Sequence, residues 1–183
     1  MATTDFNSEQ LYEPLDAIRL LRLPWGKDPS KFDSYLVSYA LNSASCPDFI
    51  ALSYTWGDST HTTPINVNGH PFAVRSNLHS FLRLVPGLGE FSSETWWWID
   101  SICIDQNNEK EKSNQMQIMG KIYERARKTI VWLGGEYDPS FGDKSGDCRH
   151  AIDNLYRLCE EKDKCINDDL TLDKPKLLAL RDR

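Results

Sequence analysis

Three short apolar runs, separated by helical segments, constrain the fold of this chain more than any other feature. The runs cover residues 49–54, 95–99 and 129–133, and each is followed closely by glycine or aspartate. Between them, apolar residues recur at helical spacing in segments 78–85 and 109–127. Parallel strands need crossover connections of this kind, usually built from a helix. The order predicts an α/β fold with a mainly parallel sheet flanked by helices.

The residues before and between these runs predict an antiparallel addition to the sheet. Residues 17–23 and 34–41 mix apolar and polar side chains as strands do. Residues 64–74 predict a hairpin, because Asn68-Gly69 accepts the positive φ angles of a type I′ turn. Ser76 or Asn77 is then suited to cap the helix that follows.

Four helices are predicted in total, and the longest covers residues 109–127. Its apolar side chains are expected on one face; these are Met116, Met119, Ile122, Tyr123 and Ala126. Residues 151–162 predict a further amphipathic helix, and residues 176–180 the start of another. Residues 1–16 are interpreted as a flexible N-terminus and residues 17–183 as a single domain.

Composition excludes several classes of function. The net charge of −6 argues against nucleic-acid binding, which requires clustered lysine and arginine. No apolar run is long enough to span a bilayer, and the polar N-terminus has no signal-peptide core. The five cysteines include no Cys-x-x-Cys pair, so neither a disulfide framework nor a zinc site is indicated. A cytoplasmic location is therefore expected.

Functional-looking residues follow each of the three predicted parallel strands. Since parallel strands end at one edge, where ligands of open sheets bind, these residues are predicted to form one site. They are Tyr54, Trp56, Gly57 and Asp58 after the first strand, Asp100, Asp105 and Gln106 after the second, and Gly134 to Glu136 after the third. Asp100 follows a very apolar strand, so its burial would require a hydrogen-bond partner.

Each candidate also has a purely structural interpretation. Trp56 can pack in the core, and Gly57 can permit a tight turn. Asp105 can cap the long helix or order its loop. Glu111 lies in a first helical turn, where a carboxylate favours the helix dipole in any protein. Cys103, between two isoleucines, is predicted to be a small core residue.

Other site chemistries lack their motifs. Ser53 is not in the Gly-x-Ser-x-Gly elbow of α/β-hydrolases. Gly134-Gly135 is followed by neither a P-loop nor a dinucleotide fingerprint. The four histidines do not have metal-ligand spacing, and Asp100 with Asp105 alone is weak evidence for a cation site.

Several segments together resemble the heterokaryon-incompatibility (HET) domains of fungi. Phe49-Ile-Ala-Leu-Ser-Tyr-Thr-Trp-Gly-Asp58 resembles their opening motif, with Phe49 where tyrosine is usual. Trp98-Ile-Asp-Ser-Ile-Cys-Ile-Asp-Gln106 is similar to their second motif, and the helix from Glu111 to Ala126 continues it. Ile130-Val-Trp-Leu-Gly134 is similar to the third.

The resemblance implies a death-effector module of fungal allorecognition, distantly related to TIR domains. It implies a flavodoxin-like fold, self-association or assembly with other HET or receptor domains, and NAD as a candidate substrate rather than an obligatory cofactor. By this analogy, residues Ser53 to Asp58 and Asp100 to Gln106 would form the loops that bind the nucleotide, with Gly134 closing the third strand. Asp100 and Glu111 are the candidate catalytic carboxylates.

One departure from the family pattern limits this expectation. TIR NAD hydrolases use a glutamate in a later helix, and HET domains carry a comparable Arg-x-Trp-x-x-Gln-Glu segment. This sequence has no tryptophan after Trp132, and the context of Glu160 and Glu161 lacks the aromatic residue. The domain is therefore expected to be C-terminally incomplete. Three hypotheses remain open: an NAD-hydrolysing effector in a fuller chain, a non-enzymatic assembly module, and a short protein that interferes with a longer relative.

Overall fold

A computed structural model of the chain describes residues 16–23, 33–87, 91–132 and 177–182. The predicted helix at 151–162, the N-terminal residues before 16 and Gly134 lie outside these ranges. The elements, in chain order, are β1 (Ala17–Arg22), β2 (Asp33–Ala40), β3 (Phe49–Tyr54), β4 (Thr62–Val67), β5 (His70–Arg75), α1 (Ser76–Leu84), a 3₁₀ turn (Val85–Gly87), β6 (Trp96–Ile99), α2 (Asp100–Cys103), α3 (Glu109–Arg125), β7 (Lys128–Trp132) and β8 (Leu177–Asp182).

The strands form one mixed sheet in the order β5-β4-β2-β1-β6-β3-β7-β8. As predicted, β3 runs parallel to both β6 and β7. β1 and β2 form an antiparallel pair, and β1 also runs antiparallel to β6. With β4–β5 and β7–β8 also antiparallel, the sheet as a whole is mixed rather than mainly parallel. The domain is thus α/β, but the antiparallel part is larger than the sequence indicated.

The consecutive tryptophans of β6 place helices on both faces of the sheet. Side chains of neighbouring strand residues point to opposite faces. Trp97 packs edge-on against Phe81 of α1, with ring centroids 5.6 Å apart. Trp98 packs against Tyr123 of α3 at 5.5 Å. Both indoles are fully buried, so β6 forms the centre of a core covered by α1 on one side and α3 on the other.

The hairpin at Asn68-Gly69 is confirmed. Both residues have positive φ, 53° for Asn68 and 80° for Gly69, as a type I′ turn requires. The predicted helix caps are wrong. Arg75 occupies the N-cap position of α1 without a side-chain bond, while Ser76 begins the helix and Asn77 is buried within it.

Two further predictions need correction. Residues 177–182 form strand β8 instead of a helix. A short apolar run has no periodicity that distinguishes a helix from a strand, and this segment pairs with the edge of β7. On α3, Met116 is 67% exposed, and the buried positions are Glu111, Gln115 and Ile122. Polar residues face inward there because the helix packs on polar groups of β1: the Gln115 side chain donates to the carbonyl of Ala17 at 2.7 Å.

Candidate functional site

The carboxyl ends of β3, β6 and β7 lie side by side, as the sequence predicted. In the sheet register Leu52 of β3 is beside Ile99 of β6, and Tyr54 is beside Trp132 of β7. The loop after β3 and the turn after β6 therefore leave the sheet at the same edge. Gly134, predicted to contribute from the third strand, lies outside the described residues.

A hydrogen bond joins the two loops at this edge. The indole Nε1–H of Trp56 donates to Oδ2 of Asp100 at 2.9 Å. The backbone N–H of Ser101 donates to Oδ1 of the same carboxylate at 2.6 Å. Burial raises the pKa of Asp100, and these two hydrogen bonds act in the opposite direction. Asp100 is half-buried, and its carboxylate has the hydrogen-bond partners that burial was expected to require: the Trp56 indole and the backbone of Ser101.

Three hydroxyl groups, those of Tyr54, Ser101 and Tyr123, lie near this carboxylate. The Tyr54 hydroxyl donates to Oγ of Ser101 at 2.6 Å. Tyr123 of α3 interacts with the Ser53 side chain, which lowers its pKa, and with the charge of Asp100, which raises it. Burial raises the pKa of both tyrosines, so each stays a neutral phenol at physiological pH. A carboxylate among neutral hydroxyls is suited to bind a polyhydroxylated ligand.

The loop after β3 carries a cation on its other side. Gly57 has a φ of 72°, which favours glycine, and its carbonyl accepts a 2.8 Å hydrogen bond from Nη1 of Arg75. The Arg75 guanidinium lies 5.2 Å from the centre of the Trp56 ring. Asp58 is exposed and accepts two hydrogen bonds from Thr60, which lower its pKa. Asp58 thus orders the loop, while Arg75 and Asp100 approach Trp56.

The loop after β6 is organised by its own polar residues. The Gln106 amide donates to the backbone carbonyl of Asp100 at 3.0 Å. Asp105 accepts from the N–H of Asn107, so it orders its loop, and Asn108 caps α3 instead. Cys103 is fully buried, as predicted, and burial raises its pKa to about 12.

Glu111 lies in a buried ion pair beneath this loop. Its carboxylate binds both terminal nitrogens of Arg19, at 2.6 and 3.0 Å, and accepts from the N–H of Asp105 at 2.7 Å. Arg19 also donates to the carbonyl of Cys103 at 3.1 Å. These contacts give Glu111 a structural role that joins β1, α3 and the loop.

Asn77 connects the loop after β3 with β7. Its Nδ2 donates to the carbonyl of Thr55 at 2.6 Å, and its Oδ1 accepts from the indole of Trp132 at 2.7 Å. The Asn77 side chain is buried, so removing it would cost Thr55 and Trp132 one hydrogen bond each, while the Trp132 indole would keep its 3.2 Å bond to the backbone carbonyl of residue 77.

Replacing Asn77 with alanine is therefore expected to lower the free energy of unfolding by about 2–3 kcal/mol. Urea denaturation followed by fluorescence measures the change. The matched control is Ser80→Ala, at an exposed position of the same helix, with an expected change within about 0.5 kcal/mol. Equal losses in the two variants would contradict the assigned role of Asn77.

Three residues of the site were not predicted: Arg75, Asn77 and Tyr123. Ser101 lies within the predicted loop from Asp100 to Gln106, although it was not singled out. Arg75 ends a β-prone run, so its strand-end position was an available signal. Tyr123 was assigned to the apolar face of α3, and Asn77 was considered only as a cap. Their side-chain contacts depend on packing across the sheet, which local periodicity does not specify.

In the described ranges, His, Cys, Asp and Glu side chains form no group of three or more that could hold a metal ion. None of the described helices is long and apolar enough to cross a bilayer.

The structure defines a class: an α/β domain in which aromatic and carboxylate side chains form a candidate site at the carboxyl edge of the parallel strands. The family profile described as Heterokaryon incompatibility protein (HET) matches residues 49–177. Heterokaryon incompatibility protein 6, OR allele, of Neurospora crassa is 36% identical over 145 residues, which cover 74% of this chain and 21% of that protein. The chain belongs to the HET family.

The matched region spans about a fifth of the length of the Neurospora relative. No solved structure matches the chain. The HET resemblance stated from the motifs is therefore confirmed by two comparisons of sequence.

Proposed function

We propose that this chain is the nucleotide-binding module of a fungal allorecognition and cell-death effector, and that NAD is its ligand. The observation that carries the proposal is the hydrogen bond between Trp56 and Asp100 at the shared strand edge, with Arg75 stacked on the same indole. An aromatic surface, a carboxylate and a cation match the base, the ribose hydroxyls and the phosphates of a dinucleotide.

The order of the parallel strands supports a TIR-like, flavodoxin-like kinship. The first parallel strand, β3, is flanked by the second, β6, and the third, β7. This corresponds to the 2-1-3 beginning of the flavodoxin-like order, whose ligands bind beyond the carboxyl ends of the strands. Asp100 and Trp56 lie at that end of the sheet.

The chemistry that we propose for such a site is cleavage of the nicotinamide–ribose bond. As nicotinamide leaves, an oxocarbenium-like centre develops on the ribose, and a nearby carboxylate stabilises it. Asp100 is the described carboxylate best placed for this. The Arg-x-Trp-x-x-Gln-Glu segment of other HET domains is absent from these residues. We therefore propose NAD binding for this chain, and hydrolysis where the domain is joined to that segment.

The cellular setting is part of the same proposal. The module would act in the cytoplasm and assemble with copies of itself or with other HET or receptor domains. The name of the Neurospora relative supports a role in heterokaryon incompatibility.

The experiment is a calorimetric titration of the chain with NAD, together with an assay for released nicotinamide at high protein concentration. Saturable binding is expected, with a dissociation constant in the micromolar to millimolar range typical of nucleotide substrates. A titration without heat, and without displacement of any nucleotide probe, would contradict the proposal.

A non-enzymatic assembly module is the second candidate, favoured by the exposure of Met116 on α3. Light scattering distinguishes it: assembly that increases with concentration and is reduced in Met116→Lys supports this role. A monomer at all concentrations contradicts it.

A further inference from the structure

Arg75 differs from the other buried or half-buried arginines that the structure describes. Each of the others has a carboxylate partner: Arg19 with Glu111, Arg22 with Glu94 and Arg125 with Asp48. No ion pair of this kind involves Arg75 among the described residues, although its side chain is half-buried. The exposed Asp58 carboxylate interacts with the charge of Arg75 without forming an ion pair with it, so the half-buried guanidinium keeps the capacity to bind a further anion.

The surroundings of Arg75 hold it in place but use little of its hydrogen-bonding capacity. One nitrogen donates to the carbonyl of Gly57, and the guanidinium stacks over Trp56. A guanidinium carries five N–H donors in a planar fork that fits phosphate oxygens. Most of that fork remains available for a ligand.

Trp56 contacts both this cation and the carboxylate. The Arg75 guanidinium lies over its ring, and its indole N–H donates to Asp100, so one indole touches two opposite charges. No ion pair joins Asp100 to Arg75 among the described residues. The two oxygens of Asp100 accept from Trp56 and Ser101, and each keeps a further lone pair for a ligand. The two charges are therefore available to recognise different parts of one ligand.

We propose that Arg75 forms an anion subsite that binds the phosphate groups of the nucleotide, so that the site selects ligands bearing a diphosphate over the corresponding nucleosides. This inference rests on the proposed function and assigns the ligand class of the same site. The Nη donors would bind phosphate oxygens, while Trp56 and Asp100 contact the sugar and base.

The test compares three probes on the 183-residue chain: ADP-ribose, inorganic pyrophosphate and nicotinamide riboside, which has no phosphate. The variants are Arg75→Gln, Arg75→Lys and the control Arg127→Gln, which changes an exposed arginine. Arg75→Gln is expected to weaken ADP-ribose and pyrophosphate binding at least about 10-fold, as loss of one charge-assisted bond predicts. Nicotinamide riboside binding should change less than about 2-fold, and Arg75→Lys should retain part of the phosphate affinity.

Three results would overturn the subsite. These are unchanged ADP-ribose affinity in Arg75→Gln, an equal loss for nicotinamide riboside, and failure of pyrophosphate to compete with ADP-ribose on the unaltered chain. The pyrophosphate competition uses only the unaltered chain, so it tests the subsite even if Arg75→Gln does not fold. Arg75-dependent pyrophosphate binding without NAD binding would sustain the subsite and reject NAD as the ligand. NAD binding that is unchanged in Arg75→Gln would reject the subsite and sustain NAD as the ligand.

Discussion

Replacing Asp100 with asparagine is expected to lower the affinity of the chain for NAD about 10- to 100-fold. Hydrogen bonds to a charged group contribute about 1.5–3 kcal/mol, and each 1.4 kcal/mol changes a dissociation constant tenfold. Asparagine keeps the shape of the side chain and one acceptor for the indole of Trp56, but it removes the charge that the ribose hydroxyls would meet. Calorimetric titration of both proteins with NAD measures the effect.

The same substitution is expected to lower the free energy of unfolding by no more than about 1–3 kcal/mol, because one of the two N–H groups that face the carboxylate loses its acceptor. Burial raises the pKa of Asp100 above its usual value of 3.8, so the ionised form costs stability above that raised pKa. As the pH falls through it, this cost is removed, while NAD affinity falls because the carboxylate is protonated. As the pH falls, NAD binding should therefore weaken while this contribution to stability becomes more favourable. The asparagine variant should show neither pH-dependent change. A parallel loss of folding and binding would mean that Asp100 is only structural.

Replacing Arg19 with methionine is expected to lower the free energy of unfolding by about 3–5 kcal/mol. Removing one partner of a buried ion pair leaves the other charge uncompensated. That cost is larger than the net stabilisation that the intact pair provides. Glu111 would keep only the N–H of Asp105 as a described hydrogen-bond donor to its side chain, and the carbonyl of Cys103 would lose the bond from Arg19. Since a domain is stable by about 5–15 kcal/mol, the loss is a large fraction of the total.

Urea denaturation at neutral pH measures this loss. Arg127→Met removes an exposed arginine and is expected to change stability by no more than about 0.5 kcal/mol. A second comparison uses Arg19→Met combined with Glu111→Leu, which removes both charges and should recover part of the stability. A double variant less stable than Arg19→Met alone would contradict the uncompensated-charge explanation.

Local signals predicted the central elements because each had its own physical cause. The Asn68-Gly69 turn requires positive φ angles. The strand before Asp100, Trp96–Ile99, has no polar side chain to face solvent, which indicates a buried strand. Strands separated by helices then predicted that β3, β6 and β7 would be parallel, and they are. The positions of β1 between β2 and β6, and of β8 on β7, depend on pairing between distant segments, which local patterns do not encode.

The site was predictable at its strand ends and not beyond them. Asp100 and Trp56 follow strands, so their shared edge could be predicted, although their direct hydrogen bond could not. Arg75 reaches the edge from the hairpin, and Tyr123 from a helix on one face of the sheet. Glu111 shows the converse case: a first-turn carboxylate had an ordinary dipole explanation, but its partner Arg19 lies 92 positions earlier in the chain.

The indole N–H resonance of Trp56 gives the most direct test of whether the strand edge is a nucleotide site. In ¹H–¹⁵N spectra of the chain titrated with NAD, this resonance should shift saturably, because its acceptor is Asp100. The indoles of Trp97 and Trp98, buried without a hydrogen-bond acceptor in the described structure, should stay unchanged and serve as internal references. A Trp56 resonance that does not move at saturating NAD, or that moves no more than Trp97 and Trp98, would contradict the proposed site.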